Sequence, residues 1–199
     1  MRVLVACEYS ATVRDAFRAN GHHAWSCDLL PCDADPTWHH QGDVSDILDH
    51  DWDLMIAHPP CTYLASSGLH WNKRRPERAS QTEKSVAFVF ALANAPIPRI
   101  AIENPIGCLS TRWRKPDQII QPYQFGDDAS KATCLWLKGL PSLRPTAHIS
   151  PRMVNGKPRW ANQTDFGQNS LGPSDDRWKI RSTTYHGIAN AMAEQWGTL

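Results

Sequence analysis

Short apolar runs alternate with amphipathic stretches along most of the chain. Val3-Leu4-Val5-Ala6 is the first run; it breaks at Cys7-Glu8-Tyr9-Ser10, and from Thr12 to Ala19 the apolar residues Val13, Ala16 and Phe17 recur at helical spacing. The start therefore reads strand, turn, helix, and Asn20-Gly21 ends that helix. His23 to Ser26 reads as a second strand closing at Cys27-Asp28, and another acidic turn comes at Gln41-Gly42-Asp43-Val44. The strand Asp53 to Ala57 runs directly into His58-Pro59-Pro60-Cys61. A polar, basic stretch from His70 to Arg78 precedes a helix of about fourteen residues, Gln81 to Asn94. Arg99 to Ile102 is the next strand, ending at Glu103-Asn104-Pro105, and Cys134 to Leu137 is another, bounded by Gly139 and Pro141. Arg144 to Arg181 is rich in Pro, Gly, Asn and Ser with little periodicity, and a helix from Gly187 to Trp196 closes the chain. There is no internal repeat or low-complexity tract.

Strands separated by helices, each strand ending in polar residues, predict a doubly wound α/β sheet, in which ligands bind at the carboxyl ends of the strands. A length of 199 residues, 41% of them hydrophobic, suits one well-cored domain. Twenty-one Lys and Arg against 20 Asp and Glu leave a formal charge of +1, so any site for a polyanion must be local. The longest apolar runs, Val86 to Ala93 and Ala132 to Leu137, are far shorter than the ~20 residues of a spanning helix, and Met1-Arg2-Val3-Leu4 leads into a strand rather than a signal peptide. The expectation is a soluble cytoplasmic protein with no membrane partner, a monomer or weak dimer. Six cysteines without a tight repeated spacing are expected to be reduced thiols, which raises the question of whether one is a nucleophile.

Pro59 and Pro60 stiffen the backbone and remove two amide donors, so the Cys61 thiol would be held at a strand's carboxyl end. By itself such a thiol is usually a small core residue, and a Glu-Asn-Pro tripeptide is usually a surface turn. Together, at the ends of two strands, Cys61 and Glu103 match the demands of attack on a pyrimidine. A thiolate adds to C6, a protonatable carboxyl engages N3, and the resulting enamine makes C5 nucleophilic. A competing group of Cys27, Cys32, His39 and His40, with His22 and His23 nearby, fits no strong zinc pattern, and no metal is expected.

On these residues the chain resembles the cytosine C5 DNA methyltransferases, and among them short phage-encoded members. The likeness rests on the N-terminal strand and turn, acidic residues after the second and third strands, Pro-Pro-Cys, Glu-Asn-Pro where the family has Glu-Asn-Val, and Ala189-Asn190-Ala191-Met192 where it has Gly-Asn-Ser-Val. It covers most of residues 1–140 and returns at 183–196. The resemblance implies a Rossmann-like sheet of the S-adenosylmethionine-dependent methyltransferase type, S-adenosylmethionine as cofactor, and DNA as partner with its target cytosine flipped into the site. Carried over, Cys61 is the nucleophile, Glu103 engages N3, and Asn104 supports the loop. Cys7, Glu8, Tyr9 and Ser10 lie along the cofactor. Asp28 is near its ribose, Asp43 and Val44 near its adenine, Pro59 beneath it and Asn190 closing the site.

The departures are specific. The first turn, Glu8 to Thr12, lacks the family's glycines. Where the family has Gln-x-Arg-x-Arg, Lys131 stands at the first arginine and Thr133 at the second, which in the family contacts the pyrimidine, so Lys131 is the candidate catalytic-site residue to orient the base instead. The large target-recognition domain is absent; its slot holds only residues 144–181, between a catalytic core at 1–143 and a C-terminal helix at 182–199. That slot carries seven Lys and Arg against three Asp, interleaved with Trp160, Phe166 and Trp178, a pattern suited to phosphate contact and base stacking. Arg159, Arg177, Lys179 and Arg181 are its candidate nucleic-acid contacts, with a second patch at Lys73, Arg74 and Arg75. A solvated loop and an ordinary exposed helix start are the plain alternatives for the two. Two further functions stay open: C5 methylation of a free pyrimidine nucleotide such as dCMP, and a catalytically idle relative that binds DNA or cofactor. Methylation of an exocyclic amine is disfavoured, because those enzymes carry an aromatic residue where Cys61 stands.

Overall fold

Strand β1 (Arg2–Ala6) lies between β2 (His23–Asp28) and β4 (Leu54–Ala57) in the computed structural model, which describes all 199 residues. From one edge to the other the seven-stranded sheet runs β3 (His39–Gln41), β2, β1, β4, β5 (Arg99–Pro105), β7 (Thr133–Lys138), β6 (Gln118–Ile120). The first five in that order are mutually parallel, while β7 is antiparallel to both β5 and β6. This is the doubly wound, Rossmann-like α/β sheet expected from the sequence. The strand order reverses between β1 and β4, and a crevice opens at such a switch point.

Side chains of β1 divide between the faces as the pleat requires. Leu4 and Ala6 join Met55, Ala57, Ile100 and Ile102 beneath Val86, Val89 and Leu92 of the long helix α3 (Pro76–Ala93). Val3 and Val5 join Leu54, Ile56 and Ala101 beneath α1 (Thr12–Ala19) and α6 (His186–Trp196), whose Phe17, Ile188, Met192 and Trp196 are buried. Burial on both faces explains why the central strands read as unbroken apolar runs.

Helix α3 begins at Pro76, five residues before the predicted start, because proline is well suited to the first helical turn and the polar residues after it lie on the exposed side. The three-residue strands β3 and β6 and the one-turn helices α2 (Ser66–Leu69) and α4 (Leu109–Arg112) are too short to show a period in sequence. Within the slot read as loop there is a hairpin, β8 (Arg152–Val154) with β9 (Lys157–Arg159), and a short helix α5 (Arg177–Ser182). The hairpin turn is Asn155-Gly156, both at positive φ (50° and 73°) as a two-residue hairpin turn demands. No helix is long and apolar enough to cross a membrane, and all six cysteines are free.

Candidate active site

The carboxyl ends of β1, β2 and β4 surround a cavity of about 180 Å³. Its walls are Leu29, Val44 and Phe88, its carboxylates Asp28 and Asp43, and Cys7 and Pro60 line it from the ends of β1 and β4. Asp43 accepts from the Ser45 amide (2.9 Å) and hydroxyl (2.6 Å), which hold its carboxyl below the usual range. Cys7 turns the chain at φ 59°, in the left-handed region that favours glycine. Desolvation by burial, reinforced by Asp28, Cys27 and Asp43, pushes the Cys7 thiol far up, so it stays protonated. Four of the nine residues expected at the cofactor, Cys7, Asp28, Asp43 and Val44, line this cavity.

The other five are placed differently. Glu8 is buried (4% exposed) and accepts from the Val13 (2.7 Å) and Arg14 (3.2 Å) amides, capping α1. Tyr9 points to α5, where its hydroxyl donates to the Lys179 carbonyl (3.0 Å) and pairs with the Ser182 hydroxyl (2.8 Å). Ser10 bonds the Thr12 hydroxyl within its own turn (3.2 Å). Pro59 is buried, with its carbonyl accepting from the Asn104 amide nitrogen (2.7 Å). Asn190 is on the exposed side of α6, between buried Ala189 and Ala191.

One residue beyond the cavity wall at Pro60, Cys61 is exposed. Its carbonyl accepts from Leu64 (3.0 Å) and Ala65 (2.9 Å), a turn that sets the thiol-bearing loop. Arg78, reaching back from α3, braces the same loop through the Thr62 (2.6 Å) and Gly68 (3.2 Å) carbonyls. The Asn104–Pro59 bond ties the loop after β4 to β5. Glu103, at the end of β5, accepts from His58 Nδ1 at 3.0 Å. Burial opposes ionisation of Glu103, but His58, Lys131 and Thr133 more than offset it, and the carboxyl lies below its usual range. Desolvation and then the Glu103 charge raise the Cys61 thiol, while Lys131 and Arg181 pull it down. Cys61, Glu103, Lys131 and Arg181 therefore form one electrostatic group. Lys131 is fixed by donation from Nζ to the Arg181 carbonyl (2.7 Å), and Thr133, in the second arginine's slot, is buried beside Glu103.

His58 was not foreseen as part of this group. Its side chain is 9% exposed, and its Nε2 is buried without a partner. The available signal was position: it directly follows β4 and precedes Pro-Pro-Cys. Leu29, Pro60 and Phe88 were missed as cavity walls because nothing local distinguishes an apolar residue facing a cavity from one facing the core.

The candidate nucleic-acid residues divide as well. Lys73, Arg74 and Arg75 are exposed, with the two guanidinium groups over the Trp71 ring (5.9 and 5.1 Å). Arg181 is exposed beside the thiol, and Arg177 is half-buried. Lys179 lies 3.5 Å from Asp33, and Arg159 donates to the Asp165 (3.0 Å) and Pro158 (2.8 Å) carbonyls, so both are engaged within the chain. The residues weighed for zinc do not converge: His39 bonds Ser26 (2.9 Å) and the Leu30 carbonyl (3.0 Å), Cys32 accepts from Arg14 (3.4 Å), and no group of three or more His, Cys, Asp or Glu is arranged to hold a metal ion.

No protein-family model matches the chain, and no curated protein matches it. Among solved structures, a candidate DNA modification methyltransferase encoded within an E. coli prophage matches over 78% of this chain and 53% of its own, with a TM-score of 0.49 and 14% identity. The present chain thus spans about half the length of that protein.

Proposed function

We propose that the protein is an S-adenosylmethionine-dependent methyltransferase acting on C5 of cytosine in DNA. The observation that carries this reading is the adjacency of two features: Pro60 walls the carboxylate-edged cavity and the next residue, Cys61, presents an exposed thiol beside Glu103 of the neighbouring strand. Apolar walls with acidic edges fit a nucleoside, so Leu29, Val44 and Phe88 would hold the adenine and Asp28 and Asp43 its polar groups. When bound, S-adenosylmethionine supplies an electrophilic methyl group.

The protein's own part is proton and nucleophile control. With its thiol raised by desolvation from the surrounding loop and by the Glu103 charge, Cys61 is protonated until its proton has a destination. As sulfur bonds to C6, electron density moves to N3 of the base; N3 becomes basic and takes up the proton, with Glu103 as carrier. Lys131 and Arg181 stabilise the anionic sulfur during this step. His58 holds the Glu103 carboxylate in place. After C5 has been alkylated, loss of its proton to solvent expels Cys61 as thiolate, and the N3 proton returns through Glu103 to the sulfur, which restores both the base and the thiol.

Incubation with tritiated S-adenosylmethionine and DNA tests the reading. Label should enter at C5 with the wild type and be absent with Cys61→Ser, and an oligonucleotide containing 5-fluorocytosine should remain covalently attached to Cys61. Full activity of Cys61→Ser, or label on an exocyclic nitrogen, would overturn it. No label with any substrate would favour the idle relative. The engagement of Arg159 and Lys179 within the chain favours a second reading, in which the substrate is a free nucleotide such as dCMP. Fluorescence polarisation with duplex DNA separates the two, since tight, salt-sensitive binding counts against the nucleotide.

A further inference from the structure

We propose that the hairpin β8–β9 and the turn behind it form a nucleic-acid contact whose reading group is Phe166, stacked on a base of the substrate. This rests on DNA being the substrate. Three aromatic residues are interleaved with the basic residues of 144–181, and two of them are already partnered. Trp160 stacks on Tyr123 (centroids 4.4 Å apart, planes at 16°), and Trp178 packs against Tyr9 (5.9 Å). Phe166 is 90% exposed, the most exposed large hydrophobic residue of the chain.

Its turn is not a loose loop. The Thr164 amide donates to the Gln168 carbonyl (2.8 Å), the Gly167 amide to the Thr164 carbonyl (2.9 Å), and Ser170 to the Asn162 carbonyl (2.9 Å). Two arginines of the hairpin clamp it from behind. Arg152 bonds the Asp165 carboxylate and the Gln163 carbonyl (2.8 Å), and Arg159 lies across Gly167, whose φ of +83° no side chain would favour, to reach the Asp165 carbonyl. These bonds fix the turn that carries a phenyl ring with nine-tenths of its surface in solvent. Covering that ring with a stacked base would remove about one aromatic side chain's area from water.

The turn is also joined to the rim of the active site. Asn162 accepts from the Ser130 amide (2.9 Å) and donates to its carbonyl (3.0 Å), next to Lys131. Phe166 is four residues further on, so its backbone lies within about 14 Å of that rim. The turn is set against Arg152 and Arg159, with Lys157 exposed on the same hairpin and Asp165 its one carboxylate, a net positive setting that fits a polyanion rather than an apolar protein face. A rigid aromatic ring in a basic setting is how single bases are held by stacking.

The test is equilibrium binding of the full chain to a cytosine-containing fluorescent oligonucleotide across a salt series. Phe166→Ala should raise Kd about tenfold at every salt concentration, within the range of one base–aromatic stack, and leave the salt slope unchanged, because no charge is removed. Phe166→Trp should restore affinity. Lys157→Gln should instead flatten the slope by about one counterion. If the wild type itself shows no salt-dependent binding, DNA as substrate fails and this inference with it. If the wild type binds and Phe166→Ala binds equally well, the inference alone is wrong. Phe166→Ala truncates a side chain that is 90% exposed, so its melting temperature should match the wild type and exclude misfolding as the cause of weaker binding.

Discussion

At the residue scale, the chemistry turns on how two acids share one small space. Cys61 is raised by desolvation and by the Glu103 charge, and Glu103 is lowered chiefly by His58 against the opposing effect of its burial. Removing that charge in Glu103→Gln should bring the Cys61 thiol down, and Lys131→Met should push it further up. The rate of iodoacetamide alkylation at Cys61 against pH reads this directly, with the midpoint moving to lower pH in the first variant and higher in the second. An unmoved midpoint in Glu103→Gln would separate the two groups. The His58–Glu103 pair also has a sign for stability. A carboxyl lowered in the folded state contributes stability at pH above its unfolded value, and that contribution is lost as pH falls through the lowered value. His58→Ala should therefore cost roughly 2 kcal/mol near neutrality, and its melting temperature should converge on the wild type in acid.

At the element scale, the thiol-bearing loop is positioned by β5 and the turn at its carboxyl end. The Cys108 amide donates to the Leu64 carbonyl (2.9 Å) and Ser66 to the Ile106 carbonyl (3.0 Å), which presses the loop onto Gly107. A β-carbon at Gly107 would collide with the Leu64 carbonyl oxygen. Gly107→Ala should displace the loop and lower the proposed methyl transfer at least tenfold while the far-ultraviolet circular dichroism is unchanged, because the sheet does not depend on that contact; normal turnover would show that the loop tolerates the shift. Helix α5 illustrates how an element escapes sequence reading. It is six residues long, without an apolar period, and its place is set by Tyr9, Asp33 and Lys131, each at least fifty residues away in sequence from the group it holds.

At the scale of the whole molecule, the sheet assembles the cavity from segments that are distant in sequence, and only the native fold brings them together. A ligand bound there stabilises the native state alone. S-adenosylhomocysteine at about 100 times its Kd should add about 2.7 kcal/mol, raising the melting temperature by roughly 5–10 °C for a chain of this size. Asp28→Ala should abolish most of that shift in a thermal denaturation series; an undiminished shift would place the ligand elsewhere. The near-balance of charge across the chain is compatible with polyanion binding only through local groups, and the structure leaves Lys73, Arg74, Arg75, Lys157 and Arg181 exposed while Arg152, Arg159 and Lys179 hold the protein's own turns together.

Much of this was legible along the chain. Buried parallel strands need continuous apolar runs, so β1, β4 and β5 announce themselves, and a doubly wound sheet exposes the residues just past each strand's carboxyl end, so Cys7, Asp28, Asp43, Cys61 and Glu103 stand out by position alone. What the tertiary structure decided was direction and partnership. Tyr9 turns to α5, Glu8 caps α1, Asn190 faces outward, Arg159 clamps a turn, and His58 meets Glu103 across 45 residues of chain. Local pattern fixes the repeat of backbone geometry and therefore which residues lie at strand ends. Which way a polar side chain then points depends on hydrogen-bond partners brought near by packing, and those are set by the order of strands and the paths of loops, which no local stretch of sequence encodes.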